Sequence, residues 1–168
     1  MNHLIIGCGN LERGDDAAGL LVVRRLRELG INADVGVDLT EQHGDGLELI
    51  EQWANYERVV LVDALQAGGS PGEIRILDAG TAPLPAEVHS SSTHSFGVRA
   101  AVELARALGR LPRSLQIYGI EGRSFSVKTP VSKQVAKAVE SVARHLAGMA
   151  RHGGEFSTAS PETELSRP

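Results

Sequence analysis

Short apolar runs alternate with longer amphipathic stretches along most of the chain, a rhythm that predicts strands alternating with helices. Leu4-Ile5-Ile6 ends in Gly7-Cys8-Gly9-Asn10 and reads as a buried strand breaking into a loop. Asp15 or Asp16 then offers a cap for a helix reaching about Leu29. Leu20, Val23 and Leu26 recur in it near helical spacing, Arg24, Arg25 and Arg27 face water, and Gly30 is the stop signal. A second short strand is expected over 33–37 and a brief helix over 44–53. Arg58 to Asp63 is the clearest strand, an apolar run closed by an acid. After a Gly- and Pro-rich turn at 68–72, residues 73–77 nearly alternate and fit an edge strand, and so short a turn favours an antiparallel return. Residues 79–93 are expected to form a long loop, then a helix from about Phe96 to Leu108, a strand over 115–119 and a last helix over 131–146.

The order β-α-β-α-β-β-α-β-α predicts a three-layer α/β/α sandwich with a mostly parallel five-stranded sheet and one antiparallel edge strand. A single domain is expected over 1–150, followed by a polar, disordered tail over 151–168. The 168 residues suffice for one sizeable core, and with aromatics at 4% that core must be aliphatic. A net charge of -4 argues against nucleic-acid binding. The lone Cys8 excludes an internal disulfide and a Cys-rich metal centre. The sequence offers neither a signal peptide at its start nor an apolar run of the roughly 18 residues a membrane span needs, so a cytoplasmic address without membrane attachment is expected. A monomer is compatible with the pattern.

In such sheets ligands sit beyond the carboxyl ends of the strands, so chemistry is sought in the residues that follow each apolar run. The first such cluster, Gly7 to Asp16, is not a dinucleotide fingerprint, because Glu12 stands where the third glycine belongs and two acids guard the helix entrance. One acid is enough to cap a helix, which frees either for another role; Asp15 bracing the loop while Asp16 points into the crevice is one division. Asp63, at the mouth of a buried strand, is either a hydrogen-bonded loop anchor or a ligand, since packing does not need a carboxylate there. His94 is either a packed loop histidine or a ligand delivered by the long loop. Two carboxylates and a neutral imidazole make a plausible first set of donors for a divalent ion. The Gly-x-Ser-x-Gly spacing at Gly68–Gly72 lies in a turn that leads to an edge strand and not to a helix, so it is no nucleophile elbow. Cys8 could pair with His94, but a small buried cysteine is the simpler reading.

Taken together, the segments 5–19 (IIGCGNLERGDDAAG), 60–64 (VLVDA), 70–74 (SPGEI), 92–97 (STHSFG) and 118–122 (YGIEG) resemble the hydrogenase maturation protease family, and the resemblance runs from about residue 3 to 148. It implies a metal-dependent, aspartic-type or metallo endopeptidase that removes a C-terminal extension from a nickel–iron hydrogenase large-subunit precursor after nickel insertion. It further implies that Asp16, Asp63 and His94 bind nickel and serve catalysis, the nickel being supplied in the precursor's active site. A checkpoint module that binds the precursor without cutting it is the alternative. Gln42-His43-Gly44 departs from the family's usual second loop, so His43 adds an imidazole that could meet metal or substrate or simply face water. Gly9, Gly14 and Gly44 are expected to let backbone pass close to the incoming peptide, and Asn10 to fix the first loop by side-chain hydrogen bonds.

Overall fold

A computed structural model describes residues 3–43, 46–86 and 97–153. Among them five strands form one sheet in the order β2-β1-β3-β5-β4: β1 (His3–Cys8), β2 (Val37–Gln42), β3 (Arg58–Leu65), β4 (Ile74–Asp78) and β5 (Ser114–Glu121). The first three and β5 run parallel, and β4 returns antiparallel against β5 at one edge. Four helices cover the two faces: α1 (Ala18–Glu28), α2 (Leu47–Gln52), α3 (Val98–Ala107) and α4 (Lys133–Arg151). The α/β/α layering and the antiparallel edge agree with the sequence pattern.

Strand alternation sorts the core into two halves. Ile5, Val60, Val62, Tyr118 and Ile120 face α1 and α4, while Leu4, Ile6, Val59, Leu61, Leu115 and Ile117 face α2 and α3. On α4, Val135, Val139, Val142 and Leu146 make the buried stripe that their helical spacing predicts. Helix α1 approaches the sheet closely because its second residue has no side chain. A Cβ on Gly19 would stand 2.1 Å from the Val62 carbonyl oxygen and 2.4 Å from that of Cys8.

Several boundaries differ from the sequence pattern, each for a local reason. The second strand is not at 33–37. Asn32 accepts a hydrogen bond from the Asp34 amide and opens a 3-10 turn over Ala33–Val35, Gly36 leaves it at φ 78°, and only then does extended chain begin. Neither acid caps α1: Gly14–Ala17 is a 3-10 turn, and α1 starts after it without a side-chain cap. Both β3 and β5 run on for two residues past their expected ends, so Asp63 lies inside a strand instead of closing it, and Glu121 is the last residue of β5. Helix α4 extends to Arg151; the remainder of the proposed tail, 154–168, lies outside the described residues, as does 87–93 of the proposed long loop.

Asp15 joins the first loop to the last one. Its carboxylate is fully buried and accepts hydrogen bonds from the backbone amides of Ser132 (2.7 Å), Arg123 (2.7 Å) and Ser124 (3.1 Å) and from the Ser132 hydroxyl (3.0 Å). Burial alone would raise its pKa, but these donors outweigh burial and hold it below the usual carboxylate value. Nearby, Gly14 (φ 54°) seats a backbone turn against Ser124, and the Lys128 amide donates to the Glu12 carbonyl.

Two stability tests follow. Gly19→Ala is expected to lower unfolding free energy by about 3 kcal/mol, because backbone carbonyls cannot move aside as a side chain would; the urea midpoint measures it. Asp15→Asn is expected to cost about 2 kcal/mol at pH 7, the worth of hydrogen bonds to a charged acceptor. The Asp15 contribution is complete above the ordinary unfolded-state pKa of about 4 and disappears as pH falls through the lower folded-state value. Urea unfolding between about pH 2 and 7 is therefore expected to show a flatter acid limb in the Asn variant than in the wild type.

Candidate active site

The carboxyl ends of the parallel strands carry a row of residues on the α2–α3 face. Cys8 of β1 is paired with Gln42 of β2, and one step beyond the Gly7–Val62 pair it stands beside Asp63 of β3, which is paired in turn with Gly119 of β5. Alternation puts the Cys8 and Asp63 side chains on that same face, about 5 Å apart at the spacing of neighbouring strands. Asp63 is 3% exposed, and one of its oxygens accepts from the Ala64 amide at 2.9 Å.

Asp16 reaches the same place from the loop after β1. Its amide donates to the Arg13 carbonyl at 3.1 Å and its carbonyl accepts from the Asn10 amide at 3.2 Å. Asn10 also takes the Glu12 amide on its side-chain oxygen at 2.9 Å, the loop-fixing role expected of it. The Asp16 side chain is 2% exposed. The two neighbouring acids thus divide their work, Asp15 bracing and Asp16 lying buried close to Cys8. Gly9 and Gly14 serve the loop itself: a Cβ on Gly9 would fall 1.9 Å from the Asp16 carbonyl oxygen, so the glycine makes room for protein and not for an incoming peptide. Gly44 lies outside the described residues.

The Cys8 thiol reports the field at this spot. Its pKa is raised well above the usual thiol value, by burial first and then by the charges of Asp63 and Asp16. Burial and the two neighbouring acids oppose the thiolate that cysteine-type catalysis needs, which favours the buried-cysteine reading. A buried carboxylate is costly unless hydrogen-bond donors or a cation compensate it. Among the described residues no group of three His, Cys, Asp or Glu side chains is arranged to hold a metal ion. The third expected donor, His94, lies outside the described residues. It precedes the start of α3, and that start belongs to this rim. The α3 C-terminal end is held at the opposite edge, where Arg106 donates to the carbonyls of Ala79 (2.5 Å) and Ala82 (2.9 Å), and ten helical residues span about 15 Å back toward the strand ends.

His43 is exposed, with Nε2 3.3 Å from a Glu41 carboxylate oxygen that also pairs with Arg24. Glu121, the last residue of β5, anchors the turn after β3 by accepting from the amides of Ala67 and Gly68 at 3.0 Å. The sequence pattern missed Gln42 as a structural member of the row. It donates to Glu48 at 2.9 Å and accepts from Gln52 at 2.6 Å, and a strand ending at residue 37 would have left it in a loop.

No described helix is long and apolar enough to cross a membrane. A family model described as hydrogenase maturation protease matches residues 21–148, a segment that contains Asp63 and His94, with Asp16 just ahead of it. The chain is similar to the hydrogenase expression/formation protein HoxM of Azotobacter vinelandii, at 28% identity over 151 residues, 87% of this chain and 72% of that protein. It is also similar to a putative hydrogenase maturation protease of Methanocaldococcus jannaschii, at 29% identity over 147 residues, covering 82% and 88% of the two chains. Among solved structures it superposes on the hydrogenase maturating endopeptidase HybD of Escherichia coli with a TM-score of 0.75 at 25% identity over 92% of this chain and 94% of that one. The maturation protease HycI of Thermococcus kodakarensis gives 0.69 at 27% identity over 89% and 92%. With most of its length matched by the family model, the chain belongs to the hydrogenase maturation protease family.

Proposed function

We propose that this chain is the endopeptidase that removes a C-terminal extension from the precursor of a nickel–iron hydrogenase large subunit, after nickel has been inserted into that precursor. What supports the reading is that Asp16 and Asp63 are both buried at the carboxyl edge of the sheet, each near enough to Cys8 to oppose its ionisation, in a chain of the maturation protease family. His94, ahead of α3, supplies the third donor. The three side chains complete the coordination of the nickel that belongs to the substrate, which ties cleavage to correct metal loading and brings the scissile peptide to the carboxylates. Asp16 or Asp63 then takes a proton from the attacking water, in an aspartic-type or metal-assisted hydrolysis.

A protein substrate is supported by the surface around the site. Three large apolar side chains stand exposed there: Leu11 on the loop after β1 (39% exposed), Leu47 at the start of α2 (47%) and Val127 on the loop after β5 (62%). The Lys128–Glu12 backbone bond ties the first and last of these loops together. Exposed apolar residues on the segments that follow the strand ends suit a macromolecular partner better than a small hydrolysable molecule.

Alanine at Asp16, Asp63 or His94 is expected to reduce processing of nickel-loaded precursor by at least about 10³-fold, with thermal unfolding still cooperative. Mass spectrometry of the precursor provides the readout. Normal loss of the C-terminal peptide with any two of the variants ends the assignment. Stable association at unchanged mass with the wild-type protein would instead make the chain a docking checkpoint.

A further inference from the structure

The stretch from Gly122 to Val139 contains Arg123, Lys128, Lys133 and Lys137 and no acid, and these three lysines are the only ones in a chain of net charge -4. The four residues share one side of the rim. The amides of Arg123 and Ser132 both donate to the Asp15 carboxylate, which sets the segment after β5 beside the start of α4. Lys133 is the first residue of α4, and Lys137, four places on, lies on the same helix face. The Lys128 amide donates at 2.8 Å to the carbonyl of Glu12, three residues before Asp15. All four side chains are exposed, and among the described residues none of them makes an ion pair, with Glu12 or with any other acid. The arginines of α1 differ: Arg24 and Arg27 pair with Glu41, and Arg25 pairs with Glu28 and Glu140. Asp15, buried beneath the strip, spends its lone pairs on backbone amides and the Ser132 hydroxyl.

Three local arrangements in this strip oppose stability. Ser126 to Thr129 form a turn closed by the Thr129 amide on the Ser126 carbonyl (3.3 Å), and Lys128 stands third in it at φ 61°, a left-handed position that glycine or asparagine fills at less cost. Lys133 sits at the positive end of α4, whose first turn holds no acid. Lys133 and Lys137 repel each other at i, i+4. Local mismatches kept together in this way mark a surface used for something other than its own fold. The turn also holds Val127 62% exposed beside Lys128, while Leu11, 39% exposed, stands on the loop that the Lys128–Glu12 bond ties to it. Apolar side chains with cations around them complement an acidic protein segment. The location says which protein: Asp15, under the strip, is the sequence neighbour of Asp16, so a substrate whose cut reaches Asp16 also meets the strip. Asp16 and Asp63 by themselves repel an acidic substrate, and the strip supplies the attraction that orients it.

We propose that Arg123, Lys128, Lys133 and Lys137, with Val127 among them, dock an acidic segment of the precursor and so orient it for cutting. The proposal deepens the protease reading and rests on it for the identity of the partner. Its test combines Lys128→Gln, Lys133→Gln and Lys137→Gln in one protein. At about 50 mM salt the combined variant is expected to raise KM for nickel-loaded precursor about tenfold with kcat unchanged. Raising salt to about 300 mM is expected to raise KM for the wild type and to leave that of the variant nearly as it was. The variant's melting temperature is expected at or above that of the wild type, since its substitutions remove repulsion. Replacing the precursor's aspartates and glutamates by their amides, block by block, is expected to reveal one block that raises KM for the wild type and adds little for the variant. An unchanged KM in the folded variant, with the wild type still cutting, overturns the docking and spares the protease. Lysine-dependent capture of vesicles rich in anionic lipid, with KM unmoved, likewise overturns it and gives the strip to a membrane surface. If the wild type leaves the precursor whole, the protease reading fails; titration calorimetry of that precursor at the two salt concentrations then decides docking alone. Salt-sensitive association lost in the variant supports docking, and association indifferent to the lysines, or none, ends it.

Discussion

The buried carboxylate of Asp15 holds the first loop of the molecule to the last. A charged side chain with no access to water is tolerated only when its lone pairs are filled, and here three backbone amides and a hydroxyl fill them. Those donors come from residues more than a hundred positions away, so the bonds tie the loop after β1 to the segment after β5. Asp16, the next residue, inherits its position from that anchor. Its own backbone is pinned by Arg13 and Asn10, and Gly9 lets the chain cross it at a distance no side chain would permit.

With the loop fixed, the sheet supplies the second carboxylate without further machinery. Parallel neighbours in register place Cys8 and Asp63 side by side on one face, and two more strand residues after Asp63 keep it rigid. A carboxylate on a strand interior is held more narrowly than one on a loop, which suits a group that must meet a substrate of fixed geometry. The thiol beside the acids stays neutral first because it is buried and then because both carboxylates oppose its charged form.

The opposite side of this row shows how an edge strand is kept from indiscriminate pairing. Arg24 and Arg27 of α1 pair with Glu41, placing charge along β2.

The sequence by itself determined the architecture and which acidic residues stand at the rim. Period-two and helical-period runs gave parallel strands with covering helices, the short turn at 68–72 gave the antiparallel edge, and the pairing of Asp15 with Asp16 signalled that one acid had a role beyond capping. Tertiary structure decided where the second strand lies, because Val37 to Gln42 carries polar residues on both sides of an edge and resembles a loop until β1 pairs with it. It also decided which acid braces, since nothing near Asp15 in the chain foretells Ser132 or Arg123 as its donors. Local pattern records which face of an element is apolar; it carries no record of which distant backbone amide will satisfy a buried charge, and that partner is chosen only when the layers pack.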